Sequence, residues 1–321
     1  MQEIMNTIIP IPTNELILKD KLDIDHTRIC SCPENHMNCL TAKEWTKNQI
    51  GIWQFFYNGK DIRDKSIHPA VFPIGLPKKV IELFSHKGEL VVDPFVGSGT
   101  TLVAARETNR NAVGFDINKK YIQVSKKRLG EVLPLEETKQ LPILDDARNI
   151  SKYFEEGSVA LVFTSPPYAN LLNRKRTNKS RRGCDRKNDQ YLKVEQYSQD
   201  ERDLGILSME KYVQEMTEIY RGLLPILKLK GHAVIDIPDM WWSDVKFGRR
   251  IPLHIGVYNA MIAAGYELRN TIIWDRNPIV NRIGIIGWPS NYITMGTTFE
   301  YLMDFWRPPE RPCEEPVSNT V

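Results

Sequence analysis

The sequence predicts an α/β fold with a mostly parallel, Rossmann-like sheet, and three stretches carry that prediction. Residues 90–101, LVVDPFVGSGTT, place a β-branched run, a carboxylate, two glycines and then a helix-period pattern from Thr100 in a row. That is a strand, turn, helix unit. Residues 111–116, NAVGFD, are a second strand ending in a carboxylate, Asp116, about twenty residues beyond the turn, where a dinucleotide-type fold puts its ribose-binding acid. Residues 158–163 form an apolar run typical of a buried strand, which Pro166 and Pro167 stop at once, because proline cannot continue a sheet ladder.

The remaining elements follow in order. Residues 1–25 show no clear periodicity beyond a strand near Glu15, and residues 40–57 turn helical and aromatic, with Trp45, Trp53, Phe55, Phe56 and Tyr57. Over 68–73 each proline holds its predecessor extended, and an amphipathic helix follows over 76–85 with Val80, Ile81 and Phe84 on one face. After the glycine turn the pattern gives a helix through Arg106, a helix over 121–129 and a short strand over 142–148 carrying Asp145 and Asp146. A helix over 210–228, a buried strand over 231–237, a helix over 253–264 stopped by Gly265, and strands over 268–274 and 299–306 complete the core. Residues 309–321 are a polar, acidic, proline-containing tail expected to be disordered.

Composition bounds the function. The 321 residues are 41% hydrophobic with a net charge of +3, so the chain buries a large core, and any nucleic-acid surface must come from local clustering of charge. Five cysteines, no signal-like start and no long apolar run predict free thiols, a cytoplasmic setting and no membrane partner. Cys30, Cys32, His36 and Cys39 offer four soft ligands in ten residues. Their spacing matches no standard zinc finger, so the expectation is ordinary buried thiols and no metal.

Two motifs carry chemistry. Gly97 and Gly99 leave backbone bare for a ligand, and the helix after them aims its amides there, which suits many nucleotides. Residues 164–168, TSPPY, end a strand with hydroxyl and carbonyl acceptors beside a tyrosine ring. Acceptors hold an exocyclic amine and a ring stacks on a planar base, a contact worth about 1–3 kcal/mol.

With those residues in view, DPFVGSGTT resembles motif I of the S-adenosylmethionine-dependent amino-methyltransferases that act on DNA, and TSPPY resembles their motif IV. Residues 68–73 and the following helix resemble motif X. The resemblance spans most of 66–308 and implies a class I methyltransferase fold, a mostly parallel seven-stranded sheet with an antiparallel edge strand, plus DNA-recognition insertions. It implies S-adenosylmethionine held by His68, Pro69, Phe72, Asp93, Pro94, Phe95, Gly97, Gly99, Thr100, Asp116, Asp146 and Thr164, and a target base held by Ser165, Pro166, Pro167 and Tyr168. The Ser-Pro-Pro-Tyr form points to cytosine N4. The cofactor motif precedes the catalytic motif, an order more typical of one adenine-modifying group, which keeps adenine N6 as the alternative.

Residues 173–193 are strongly basic, and Arg174, Lys175, Arg176, Lys179, Arg181 and Arg182 are expected to grip DNA phosphates. The predicted organisation is an N-terminal extension over 1–65 packed on the core, a catalytic domain over 66–308 with insertions at 169–208 and 276–298, and the tail. Trp241, Trp242, Arg249 and Arg250 lie in a segment that suits either DNA or core, and Arg282, Trp288 and Asn291 are further candidates for reading sequence. The expected partners are double-stranded DNA and a cognate restriction endonuclease, with an RNA methyltransferase or a non-catalytic DNA-binding protein as less favoured readings. Methylation of a ring carbon would need a thiolate beside the base, and the only Pro-Cys pair, Pro312 and Cys313, sits in the acidic tail.

Overall fold

The computed structural model describes residues 21–33, 36–59, 61–62, 71–130, 138–172, 200–242, 249–279 and 295–309. The strand expected near Glu15, His68 and Pro69, the basic cluster Arg174 to Arg182, Arg282, Trp288, Asn291 and the tail lie outside them.

The chain runs through α1 (Ala42–Asn48), β1 (Ile52–Gln54), α2 (Gly75–Phe84), β2 (Leu90–Asp93), α3 (Thr100–Glu107), β3 (Asn111–Asp116), α4 (Lys119–Gly130) and β4 (Gln140–Leu144). It continues with β5 (Val159–Thr164), α5 (Met209–Leu223), β6 (Leu227–Ile237), β7 (Met240–Trp242), β8 (Arg249–Ile251), α6 (Leu253–Ala263), β9 (Glu267–Asp275) and β10 (Phe299–Trp306). Among the described residues eight strands form one sheet in the order β1-β9-β10-β6-β5-β2-β3-β4, and β7 pairs with β8 in a separate hairpin. The mixed, mostly parallel architecture is the expected one.

Three expectations need correction. The helix expected over 40–57 is only α1, which Thr41 starts through a capping box with Glu44. Past Asn48 the chain turns extended at Gly51, and Ile52 to Gln54 pair in parallel with Ile273 to Asp275, so an eighth strand from the N-terminal segment closes the sheet edge. Trp53 explains the change, since alternation puts it inward at 4% exposure while Ile52 and Gln54 face out. Second, the antiparallel strand is interior: β10 runs antiparallel to β6 on one side and to β9 on the other. Third, the helix expected to reach Lys228 ends at Leu223, because Pro225 lacks the amide a further turn needs, and β6 starts at Leu227.

β2 is buried throughout and lies between β3 and β5. Its side chains alternate between two apolar layers: Leu90 and Val92 pack with α5 and α6 residues such as Tyr212 and Val257, and Val91 packs with α2 and α3 residues such as Val80 and Leu102. From β2 the chain proceeds outward to β3 and β4, then crosses back to β5 on the other flank of β2. That reversal is a topological switch point, and it gathers the carboxyl ends of β2, β3, β4, β5 and β6 around one crevice. Among the described residues no helix is long and apolar enough to cross a membrane.

A candidate active site at the carboxyl edge of the sheet

The turn after β2 is built by close approaches. The Val96 amide donates to Phe115 O at 2.8 Å, drawing the turn over β3. Gly114 makes room there, since a Cβ on it would lie 2.4 Å from Val96 Cγ2. Gly99 has φ 82°, and a Cβ on it would lie 2.1 Å from Ser125 Oγ of α4. Its bare face therefore accommodates α4, and it is Gly97 that lines the crevice. Gly99→Ala is expected to destabilise the protein by about 1–3 kcal/mol through overpacking and the left-handed backbone. Denaturant unfolding checks this, and Ser125→Gly in the same chain should recover part of the loss.

Asp93 stands behind the crevice wall at 2% exposure. Its Oδ1 accepts from the Phe95 amide at 3.0 Å and from Thr164 Oγ1 at 2.6 Å, and its Oδ2 accepts from Thr101 Oγ1 at 2.6 Å. One carboxylate thus ties the glycine turn, α3 and the end of β5 together. Burial pushes its pKa up to about 6, against the lowering effect of those three donors. Asp116 receives the Gly97 amide at 3.1 Å and the Asn118 amide at 2.7 Å, one on each oxygen. Burial, with the nearby carboxyls of Asp203 and Asp93, raises it to about 7.

Two clefts open here. The first, about 840 Å³ including the part open to solvent, is within the usual range for small-molecule sites. Of the sequence-predicted cofactor residues it brings together Phe72, Pro94, Phe95, Gly97, Thr100, Asp116 and Asp146, and it adds Asp145, Ser165 and Pro167. Asp93, Gly99 and Thr164 are behind its wall, and Thr100 Oγ1 is engaged by Arg128 at 2.9 Å. Asp146 is held in an ion pair with Arg148 at 2.9 Å, and Asp145 accepts from Tyr153 Oη at 2.6 Å. Tyr121 and Asp203 also line the cleft and were missed by sequence reasoning. Asp203 and the core residue Leu204 come from the last residues of the 169–208 segment and form part of this wall.

The second cleft shares Val71, Phe72 and Ser165 with the first. Tyr168 lines it at 8% exposure, with its hydroxyl 3.5 Å from Ser165 Oγ. Facing them are Asp236 from β6, Trp274 from β9, Glu300 from β10, and Arg276. Arg276 pairs with Glu300 and lies 5.2 Å from the Trp274 ring. Burial, with Glu300 alongside, holds Asp236 well above the usual carboxylate range, and burial raises Glu300 as well. Asp236 Oδ1, Trp274 Nε1 and Arg276 Nε are buried without a hydrogen-bond partner among the described residues. Asp236 was read only as part of a buried strand, and Glu300 only as part of a strand. Asp236 inside VIDI and Glu300 inside TFEYLMD, charges within apolar strand runs, are the signal that could have found them.

The strand order, with one antiparallel strand between β6 and β9, and a ligand crevice at the switch point define a Rossmann-like class I methyltransferase fold. Residues 15–127 match the family described as DNA methylase. It is 41% identical over 93 residues to the type II methyltransferase M.BglI of Bacillus subtilis, covering 29% of this chain and 26% of that protein. It is 41% identical over 127 residues to the type II methyltransferase M.HinfI of Haemophilus influenzae, covering 34% and 35%. The chain thus spans about a quarter to a third of the length of the curated relatives it matches. Among solved structures, a SAM-dependent methyltransferase from Methanosarcina mazei aligns at 10% identity and a TM-score of 0.43, over 72% of this chain and 98% of that one.

Proposed function

We propose that this chain is a DNA methyltransferase that moves a methyl group from S-adenosylmethionine to the exocyclic N4 of cytosine in duplex DNA, as the modification partner of a restriction endonuclease. The observation that carries the reading is the pair of clefts meeting at Ser165, one suited to a nucleoside cofactor and one to a planar base. The names of the relatives, both type II methyltransferases, support the reaction class and the restriction setting. The serine that opens the Ser-Pro-Pro-Tyr motif favours cytosine, and the order of the motifs favours the second reading, adenine N6.

The first cleft fits the cofactor chemically. Asp116 receives one amide on each oxygen and keeps lone pairs for ribose hydroxyls, Gly97 presents backbone with no Cβ, and Asp145 and Asp146 offer acceptors for an adenine amine. S-adenosylmethionine supplies an activated methyl on a sulfonium, so the protein must supply alignment. Ser165 and the Pro166 carbonyl accept from the target amine and turn its lone pair toward the first cleft. Such positioning is worth roughly 7–11 kcal/mol. The amine is inside the duplex, so the nucleotide flips out and stacks on Tyr168, while Asp236, Trp274 and Arg276 offer acceptor and donors to its edge. The basic residues of 173–193 hold the phosphates.

The test is a methyl-transfer assay on duplex DNA, followed by digestion to nucleosides and mass analysis. N4-methylcytidine as its deoxynucleoside is the expected product. N6-methyladenine would move the target to the alternative base, transfer to RNA alone would change the substrate class, and no transfer to either would leave a binding protein.

A further inference from the structure

The fold brings a group outside both clefts together that the sequence spacing does not announce. Sγ of Cys30, Cys32 and Cys39 and one ring nitrogen of His86 all lie within 4.8 Å of one another. His86 follows α2 by two residues, whereas the cysteines come from the N-terminal segment, so the fourth member is distant in sequence and His36 is not part of the group.

We propose that Cys30, Cys32, Cys39 and His86 form a structural zinc site that fastens the N-terminal segment to the turn leading into β2. In a tetrahedral site with zinc–sulfur bonds of about 2.3 Å and zinc–nitrogen bonds of about 2.0–2.1 Å, a sulfur and a nitrogen sit about 3.6 Å apart. His86 Nδ1 lies 3.4 Å from Cys30 Sγ and 3.5 Å from Cys39 Sγ. Two sulfurs converge on one ring nitrogen, the arrangement of a shared metal ion and not of a single thiol–imidazole hydrogen bond. Three thiols that lose their protons on binding, with one imidazole, select zinc over oxygen-seeking cations, and four protein ligands leave no open position for catalysis.

The surroundings hold the ligands as a metal site requires. The Lys87 amide points at Cys39 Sγ at 3.5 Å, the polar second contact that supports a thiolate. Cys39 is presented by a tight turn in which Asn38 and Cys39 have φ 51° and 71° and Met37 bridges Leu40. Asn38 Nδ2 donates to Leu83 O at 2.7 Å, anchoring that turn on the end of α2. On the other side the Ile29 amide donates to Lys87 O at 2.9 Å, so both ligand-bearing strands of chain are tied to the turn at His86.

Metal analysis of the full-length protein tests this. About one zinc per chain is expected, falling to less than a tenth in His86→Ala and largely restored in His86→Cys. His36→Ala and Cys313→Ser should keep the metal. Cobalt exchanged into the wild type should give the visible absorption of a tetrahedral thiolate site, which needs no variant to fold. Removal of zinc by chelation should lower Tm by about 5 °C or more. The proposal is overturned by protein that contains no zinc and takes up none from zinc solution, by a Cys30–Cys32 disulfide in the purified chain, by iron as the bound metal, or by zinc lost in His36→Ala but kept in His86→Ala. None of these readouts depends on methyl transfer, so the functional reading stands or falls separately.

Discussion

Asp93→Ala is expected to slow the proposed methyl transfer by about a hundredfold or more, a loss of the size that a displacement of about 1 Å at the reacting groups produces. The carboxylate touches neither cleft and acts through its partners. Thr164, which donates to Asp93 at 2.6 Å, is the residue before Ser165, and Thr101, on the other oxygen, lies in the first turn of α3 beside the glycine turn. Alanine would leave two buried hydroxyls and one amide unpaired, at about 1–3 kcal/mol each for groups that find no water. It would also free the two halves of the site from each other. Single-turnover transfer, read beside the Kd for S-adenosylmethionine, separates the effects: the transfer rate should fall further than binding does. An alanine variant with near wild-type transfer would show that the clamp does not position the catalytic motif.

Asp93→Asn isolates the charge. Because burial raises the folded pKa to about 6, above the unfolded value near 4, the folded protein holds this proton more tightly than the unfolded chain does. Stability from this group is therefore greatest at low pH and declines as pH rises from about 4 through about 6. The asparagine variant lacks that decline, so its stability relative to wild type should improve between pH 4.5 and pH 7.5 in denaturant unfolding. A constant difference would mean that the carboxyl does not titrate in that window.

How much of this was legible in the sequence depended on whether a feature is local. β3 and β10 have the bounds that their apolar runs suggest, and the glycine turn and the proline-terminated strand stand at neighbouring strand ends as their order implies. These are regularities of short stretches. What escaped was assembled by the fold. β1 is three residues long and becomes a strand only by pairing with β9, and His86 joins the cysteines only because α2 delivers it there. Asp236 and Glu300 come from strands that pair with each other, β6 and β10, and their shared burial is invisible in either stretch alone. Gly99 was legible as a glycine that must be glycine, but its reason is Ser125, on a helix the motif does not contain.

Asp116 should make the proposed binding of S-adenosylmethionine depend on pH. Its pKa is raised to about 7, and ribose hydroxyls would donate to the ionised form. Affinity should therefore be level above pH 7 and weaken by about tenfold per pH unit below it, since each binding event must first release one proton. Asp116→Asn should bind about 10- to 100-fold more weakly at pH 8, consistent with a lost charge-assisted hydrogen bond of about 1.5–3 kcal/mol, and its profile should be flat. The amide group of asparagine would also face the Gly97 amide, now donor against donor, so the size of the loss includes some disturbance of the turn. The slope does not share that ambiguity. Calorimetric titration with S-adenosylmethionine from pH 5.5 to pH 8.5 reads it directly, and proton release measured in two buffers of different ionisation enthalpy gives the stoichiometry. If Asp116→Asn retained the wild-type slope, the proton would belong elsewhere, and Asp93, raised to about 6, is the nearest alternative. Asp93→Asn would then lose the slope, and the ribose assignment of Asp116 would fail with it.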